Sequence, residues 1–468
     1  MPIFRPYYFA GAIVPVLLTG CLHTPVPPLP NALPDSFAQA TRQIGQAPVD
    51  LHGWWRQFDD PMLIRLVDAA LAANPGIDAA RQRLYAARMQ AGTVDSRYKP
   101  QVNLVARGVE ELSTTDSFYQ VRANGIWDLG LFGVRESAQR QAAGDVQYAE
   151  AEWQATRVAI VAETVRLYLD LRHAQRHAAL LAEQAALDAR LLALTHARHA
   201  AMPDTPDPYL SIQVQQAHTR AEQTEPTMAV ARAAHGLAAL LNLTELAPDV
   251  TAAAAWPVLR AGSLAQVPSD LLRSRPDVRS AEANVQQAVG MLGLDKAELY
   301  PRIAIGTSWL YSYNITRSRN ASSSDIPIPT PFLSLPIFDW GARKDAVAAQ
   351  SHRVQAAVAA YRQAVVAGVA EVEIALAIYA NERVRVDALT IAQQAATEHT
   401  RRLEARSRAG LASTWDALTA RRDALRTERA LATAQANHAL AFATLYRALG
   451  GAPLPDLPSE HPHTGDGT

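Results

Sequence analysis

The sequence predicts a mainly α-helical chain made of two related halves, each with a small β-structure. Three observations predict this fold class. A stretch bounded by prolines occurs twice, two very long segments lack proline, and a pair of short alternating runs precedes each long segment. Such a pattern favours long antiparallel helical hairpins joined to short antiparallel strand pairs.

The duplication depends on prolines at matching positions. Pro75 and Pro100 lie 25 residues apart, and so do Pro276 and Pro301. In each copy the first proline suits the first turn of a helix, and the second proline ends that helix. Asp-Leu-Gly at 128–130 returns as Asp-Trp-Gly at an offset of 211 rather than 201 residues, so the second copy has a longer loop.

These landmarks predict the domain boundaries. The first repeat spans 61–243 and the second spans 273–450. An inter-repeat segment, 244–272, connects them, and 451–468 forms a carboxyl-terminal tail.

The amino terminus has the features of a targeting segment. Arg5 precedes a short apolar core, Phe9 to Leu18, which is too short to span a bilayer. Leu18-Thr19-Gly20-Cys21 resembles a bacterial lipobox, which predicts a signal peptide over 1–20 and an N-palmitoyl and S-diacylglycerol lipid on Cys21. Leu22 resembles the outer-membrane address of Gram-negative lipoproteins. The alternative is an ordinary secretory signal with an incidental cysteine.

Residues 21–60 are predicted to form an extended, proline-rich segment between the lipid and the body of the protein. Near its end, Trp54 and Trp55 are expected to anchor a packing interface. Asp60 is the predicted cap of a helix that begins at Pro61.

Composition excludes several classes of protein. The net charge of −1 argues against a nucleic-acid partner, and a single cysteine excludes a disulfide within the chain. After the signal peptide no run approaches 18 apolar residues, so the sequence predicts no transmembrane helix. A mature chain of this kind can cross a membrane only as a closed barrel.

Two strand pairs are predicted, at 101–128 and at 302–339, the second around a long loop from Asn314 to Pro329. In 302–313 an apolar face that ends in Trp309, Tyr311 and Tyr313 alternates with small polar residues. This alternation suits lipid on one side and water on the other. A half-buried sheet of a soluble protein would show the same pattern.

Two very long helices are predicted, at 134–202 and 342–408, each about 100 Å long. Return helices follow at 209–242 and 414–449. Helices of this length fit no compact domain, so we expect two extended helical hairpins.

No catalytic constellation accompanies these elements. The sequence has no Gly-x-Ser-x-Gly, phosphate-binding loop or dinucleotide fingerprint. His173 and His177 stand at a metal-binding spacing, but Arg172 and Arg176 flank them, and we predict a solvated helix face rather than a metal site. We therefore expect no enzyme activity, no metal and no cofactor apart from the lipid.

Several motifs together resemble one family. They are Trp55-Arg56-Gln57-Phe58-Asp59-Asp60-Pro61, Ala70-Leu71 to Asn74-Pro75, Tyr98-Lys99-Pro100, Asp128-Leu129-Gly130-Leu131-Phe132-Gly133, Arg275-Pro276-Asp277-Val278, Ala297-Glu298-Leu299-Tyr300-Pro301, Leu335-Pro336-Ile337-Phe338-Asp339-Trp340-Gly341 and Leu449-Gly450-Gly451. The chain resembles the TolC-like outer-membrane efflux channels, in particular their NodT-type lipoprotein branch. Trp340 departs from the pattern, because the family often has a small residue or glycine there.

The resemblance implies a homotrimer with a twelve-stranded barrel in the Gram-negative outer membrane and a helical tunnel in the periplasm. Such a channel is expected to be a passive duct for small molecules or drugs, with a role in antibiotic resistance. Its expected partners are a periplasmic adaptor, an inner-membrane efflux transporter and outer-membrane lipid. The alternatives are a periplasmic adaptor subunit, which would need a lipoyl-like β-domain, and a soluble enzyme.

The resemblance also implies a periplasmic aperture at the helical turns. Asp416 matches a stretch where relatives place an acidic ring, and Thr419 stands where a second acidic residue is frequent. Asp207 occupies the corresponding start of the first return helix, and Arg406 and Arg408 are candidate ties between neighbouring helices. The alternative role for both aspartates is helix capping.

Overall fold

The computed structural model describes residues 23–29, 51, 53–110, 117–201, 209–259, 269–316, 319–323 and 329–451. The predicted signal peptide, Cys21, Asp207 and nearly all of the predicted tail lie outside these residues. The described chain divides into two compact units, and each unit contains parts of both predicted repeats. Unit 1 comprises 1–31, 82–151 and 279–364, and unit 2 comprises 32–81, 152–278 and 365–468.

The helices and strands follow one another in nearly the predicted order. Among the described residues, they are accompanied by three short 3-10 helices, Trp54–Phe58, Asp95–Tyr98 and Ser269–Ser274. The remaining elements are α1 (Pro61–Ala73), α2 (Pro75–Val94), β1 (Gln101–Glu110), β2 (Ser117–Asp128), α3 (Val134–Ala201), α4 (Tyr209–Glu222), α5 (Thr224–Leu240), α6 (Pro248–Thr251), α7 (Pro276–Ala297), β3 (Arg302–Asn314), β4 (Arg319–Ser323), β5 (Thr330–Ser334), α8 (Ala342–Arg408) and α9 (Thr414–Ala448).

The two long helices confirm the prediction from the proline-free segments. They contain 68 and 67 residues. The first return helix, predicted as continuous over 209–242, is instead divided at Gln223 into α4 and α5. Pro226 lies in the first turn of α5, where its missing N–H is tolerated, and the sequence analysis overlooked it.

Unit 1 contains an antiparallel sheet in which β1, β2 and β3 are neighbours in chain order. The second strand pair was predicted as two strands around a loop from Asn314 to Pro329. This is wrong, because β4 lies within that loop and β5 follows it. Both pair with β3, β4 near Asn314 and β5 near Arg302. Proline cannot donate to a ladder, and Pro329 directly precedes β5.

The strand register extends the predicted alternation across the sheet. Directly opposed residues point to the same side, so the register defines two faces. The apolar face includes Val102, Leu104, Tyr119, Val121, Trp127, Ile303, Ile305, Trp309, Tyr311, Tyr313 and Leu333. The polar face includes Asn103, Arg107, Gln120, Arg122, Asn124, Arg302, Ser308, Ser312 and Asn314.

The apolar face of the sheet is exposed, unlike that of a soluble half-buried sheet. On the apolar face, Val102 and Leu104 are exposed by 78% and 69%. On the polar side of β3, Ala304, Ser312 and Asn314 are buried. The apolar face therefore needs a non-aqueous environment outside the protomer, as the lipid alternative requires.

The amino-terminal segment 23–29 packs against the helices of unit 1 rather than extending away from them. Val26 and Leu29 contact an apolar cluster of α7 and α8 that contains Val285, Val289 and Val354. The prediction of an extended segment over 21–60 is therefore incomplete, since its first described residues are docked.

Unit 2 contains the largest apolar core. Trp54 and Phe58 of the first 3-10 helix are buried, and the Trp54 ring stacks on Tyr446 of α9 with centroids 5.5 Å apart. This confirms that the tryptophan pair anchors packing. Asp60 caps α1 as predicted, because its Oδ1 accepts the N–H groups of Met62 and Leu63.

One helix of the described residues is long and apolar enough to cross a membrane by length and composition, namely α8. The sequence analysis predicted no such helix. The core helix of a soluble protein passes the same test.

Candidate functional site

The turn between α8 and α9 is closed by backbone hydrogen bonds. Gly410 has a φ of 71°, the left-handed region that glycine adopts without strain. The N–H groups of Gly410 and Leu411 donate to the carbonyls of Ser407 and Arg406 at 3.0 and 2.8 Å. This Schellman arrangement ends α8 abruptly and leads directly into α9.

Ser413, rather than Asp416, caps α9. The N–H of Asp416 donates to Ser413 Oγ at 3.1 Å. Asp416 is exposed in the first turn, where the positive end of the helix dipole favours a carboxylate. Helix capping was the alternative role for Asp416, and Ser413 fills that role instead.

The other predicted aperture residues differ in their surroundings. Arg406 is exposed, and its Nη2 donates to the carbonyl of Leu411 at 3.5 Å, within its own turn. The hydroxyl of Thr419 is buried and has no hydrogen-bond partner among the described residues. Arg408 lines a groove beside the turn.

This groove has a volume of about 440 Å³ and lies between α3, α8 and α9. Glu183 and Arg421 bridge it, with Arg421 Nε donating to Glu183 Oε1 at 3.1 Å. Arg190, Glu404 and Arg408 complete its charged lining. The turn region thus combines one exposed carboxylate at the start of α9 with a mixed-charge groove behind it.

His173 and His177 were predicted to lie on a solvated helix face, but the structure places them in half-buried positions. Their rings stack with centroids 5.8 Å apart, and His173 Nδ1 is buried without a hydrogen-bond partner among the described residues. Burial lowers the pKa of both imidazoles, and the neighbouring cations Arg176 and Arg429 lower it further. The described residues contain no group of three or more His, Cys, Asp or Glu that could hold a metal ion.

The polar face of the sheet is the second polar surface of interest. Ser308 Oγ donates to Asn124 Oδ1 across the strands at 3.0 Å, and Arg302 forms a 2.7 Å ion pair with Asp128. Arg107 donates from Nε and Nη2 to Gln120 Oε1 at 3.3 and 3.2 Å. A hydrated surface with guanidinium groups lies opposite the apolar one.

Arg107 and Arg122 were not among the residues predicted from the sequence. A signal for them exists, because Asn103 and Arg107 alternate with Val102 and Leu104 along β1. The same alternation was used above only for 302–313.

The family model described as Outer membrane efflux protein matches residues 66–243 and 267–451. The chain belongs to this family. The family consists of channels rather than enzymes or periplasmic adaptors, and it explains both the exposed apolar face of the sheet and the very long helices.

Individual relatives match over nearly the whole chain. Outer membrane protein OprJ of Pseudomonas aeruginosa is 28% identical over 96% of this chain and 96% of its own length. Nodulation protein T of Rhizobium leguminosarum is 26% identical over 94% of this chain and 91% of its own. The solved structure of the outer-membrane channel OprN covers 92% of this chain and 99% of that chain, with a TM-score of 0.79 and 25% identity.

The chain is accordingly an outer-membrane component of a tripartite efflux system. Its sheet supplies barrel strands in the outer membrane, and its long helices supply a helical tunnel in the periplasm. The apolar face of the sheet is the lipid side and the polar face is the lumen side.

Proposed function

We propose that three copies of this chain close into one passive duct, which carries small molecules or drugs across the outer membrane. A periplasmic adaptor and an inner-membrane transporter would deliver them to the duct. One observation carries the proposal, namely that the sheet of a protomer is open at both edges.

The open edges follow from the pairing of the strands. Among the described strands, β1 pairs only with β2, while β4 and β5 pair only with β3. Unpaired N–H and C=O groups are costly in a bilayer, where water cannot satisfy them. One protomer also has too few strands to enclose a lumen, so β1 of one copy must meet the returning strands of the next.

We also propose that Cys21 carries the predicted lipid. The docked segment 23–29 supports this, because it holds the chain beside the start of α3. His23 Nδ1 lies 2.8 Å from Glu136 Oε1, and the Thr24 carbonyl accepts a hydrogen bond from Arg140. Cys21 is two residues from His23, within about 7 Å along the chain. Because α3 follows β2 after a short turn, this position is close to the membrane end of the helix.

At the other end of the long helices, we propose that Asp416 forms the periplasmic aperture as a ring of three carboxylates. Its exposure in the first turn of α9 and its freedom from the capping role support this. Asp207 is proposed to add a second ring. We propose that Arg406 and Arg408 hold neighbouring helices together. Because Thr419 stands where relatives often have a second acidic residue, the ring of carboxylates is proposed to be thinner at that position.

The oligomeric state tests the duct directly. The purified protein in detergent should have three times the mass of one protomer by light scattering, after subtraction of the detergent. In planar bilayers it should give discrete conductance steps. A monodisperse monomer, or a trimer without conductance, would contradict the proposal.

A further inference from the structure

We propose that the lumen side of the barrel holds an anion-binding station formed by Arg107 and Arg122. Its ligand would be the negatively charged group, such as a sulfonate, phosphate or carboxylate, of an organic anion in transit. The inference rests on the proposed closure of three copies into a duct.

The strand register brings the two arginines together. Arg107 stands opposite Gln120, and Arg122 stands opposite Val105. The two arginines are therefore diagonal neighbours on one face of adjacent strands, within reach of long side chains. Arg122 also stands opposite Leu310, so it lies on a strand with partners on both sides, while Arg107 lies on the edge strand β1 beside it.

The charge of this pair is not compensated by the described residues. Arg107 donates twice to Gln120 Oε1, a neutral acceptor. No described carboxylate forms an ion pair with Arg107 or Arg122, whereas Arg302 on the same face is paired with Asp128 at 2.7 Å. Like charges on neighbouring strands repel, and the repulsion is relieved when an anion lies between them.

Guanidinium groups select the ligand class. Each presents planar N–H donors that match two oxygens of a sulfonate, phosphate or carboxylate. Their position on the polar face excludes a lipid ligand, because the apolar face is turned to the bilayer. Three copies would place six guanidinium groups around one lumen, which concentrates anions at this level.

Block of the single-channel current tests the station. Naphthalene-1,5-disulfonate, a small organic dianion, is added on the barrel side of wild-type channels in planar bilayers. We expect side-dependent block in wild type. In Arg107→Gln/Arg122→Gln, the half-blocking concentration should be about tenfold higher.

Four further variants make the result specific. Arg107→Lys/Arg122→Lys keeps the charge but loses the planar donors, and should lie between wild type and the glutamine variant. Arg83→Gln, an exposed arginine on α2, is the matched control and should block like wild type. The single variants Arg107→Gln and Arg122→Gln should each give part of the effect, and they replace the double variant if it does not form trimers.

The outcomes separate the inference from the duct itself. Wild-type protein without conductance steps would contradict the proposed duct. Conducting channels in which the dianion blocks wild type and the glutamine variants equally would overturn the station while leaving the duct in place. Loss of block in Arg83→Gln as well would also overturn it, because the effect would then reflect net charge alone.

Discussion

At the residue scale, Arg275 is the most densely bonded charged side chain of unit 2. Only 8% of its side chain is exposed, and it pairs with Asp277 at 2.8 Å and with Glu371 at 2.7 Å. It also donates to the carbonyl of Ala448 at the end of α9. Burial alone would lower the pKa of Arg275, but the hydrogen bonds and charges of Asp277 and Glu371 outweigh burial and raise it.

Removal of this arginine should destabilise the protein strongly. Arg275→Ala leaves the Ala448 carbonyl without its side-chain donor and leaves Glu371 with only the longer contact to Arg447, and we expect a loss of about 2 kcal/mol in the free energy of unfolding. Arg447→Ala is the matched control, since exposed Arg447 contacts the same Glu371 at 3.6 Å. It should cost less than about 1 kcal/mol. Denaturant unfolding followed by circular dichroism measures both, and equal losses would refute the role assigned to Arg275.

Substitutions at Asp416 and Ser413 distinguish the effect of the carboxylate on ion selectivity from the effect of helix capping on stability. Asp416→Ala should lower cation selectivity, measured as the reversal potential in a salt gradient, with trimer formation unchanged. Ser413→Ala removes the cap and should cost about 1 kcal/mol of stability without changing selectivity. Asp207→Ala should add to the effect of Asp416→Ala. An unchanged reversal potential in that double variant would place the constriction elsewhere.

The proposed lipidation of Cys21 is tested by labelling with palmitate. Cys21→Ser should abolish labelling with radioactive palmitate and weaken retention in the membrane, because the acyl chains are lost. Export should survive in part, since the barrel itself still inserts. Palmitate labelling of the Cys21→Ser protein would disprove the assignment.

At the element scale, the two repeats use the same junction with different chemistry. Asn74, before Pro75, donates from Nδ2 to the carbonyl of Leu240 at the end of α5 at 2.9 Å. Arg275, before Pro276, donates to the carbonyl of Ala448 at the end of α9. In both repeats the residue before the proline thus satisfies the end of the return helix. The prolines were visible in the sequence, but the partner carbonyls were not, because they are more than 160 residues away.

The start of α1 is tied to α3 by one carboxylate. Asp60 Oδ1 caps α1, while Oδ2 accepts the hydroxyl of Tyr168 at 2.6 Å. Burial, together with the hydrogen bond to Asp60, raises the pKa of Tyr168 to about 12. Arg172, whose guanidinium lies 4.8 Å above the Tyr168 ring, opposes this shift in part.

This tyrosine predicts an alkaline dependence of stability. The pKa of Tyr168 is raised above its ordinary value of 10.0, so its contribution is fully present below pH 10 and is lost as pH rises through about 12. Denaturant midpoints should therefore fall between pH 10 and 12 in wild type and fall less in Tyr168→Phe. Tyr148→Phe, at an exposed position, should behave as wild type. A Tyr168→Phe variant with the wild-type pH profile would contradict this prediction.

At the scale of the whole molecule, the sheet and the long helices differ in whether one copy satisfies their backbone hydrogen bonds. The helices satisfy their own backbone groups along their length. The sheet does not, since the outer edges of β1, β4 and β5 have no partner among the described residues and its apolar face is exposed. A single copy is therefore incomplete as a membrane structure, and this is what the proposed closure of three copies would complete.

The sequence alone determined the features that local physics encodes. Proline positions fixed where α1, α2 and α7 begin, the absence of proline predicted α3 and α8, and alternation predicted β1, β2 and β3 with the aromatic face of Trp309, Tyr311 and Tyr313. Each of these depends on neighbours within a few residues.

Only the tertiary structure decided which distant groups meet. It placed Tyr168 on Asp60, Arg275 on Glu371, and His173 in a half-buried stack rather than on a solvated face. It divided the strand after β3 into β4 and β5, and set the register that makes Arg107 and Arg122 neighbours. The physical reason is that burial and partners arise from chain segments far apart in sequence, while a local pattern specifies only the surface that an element offers.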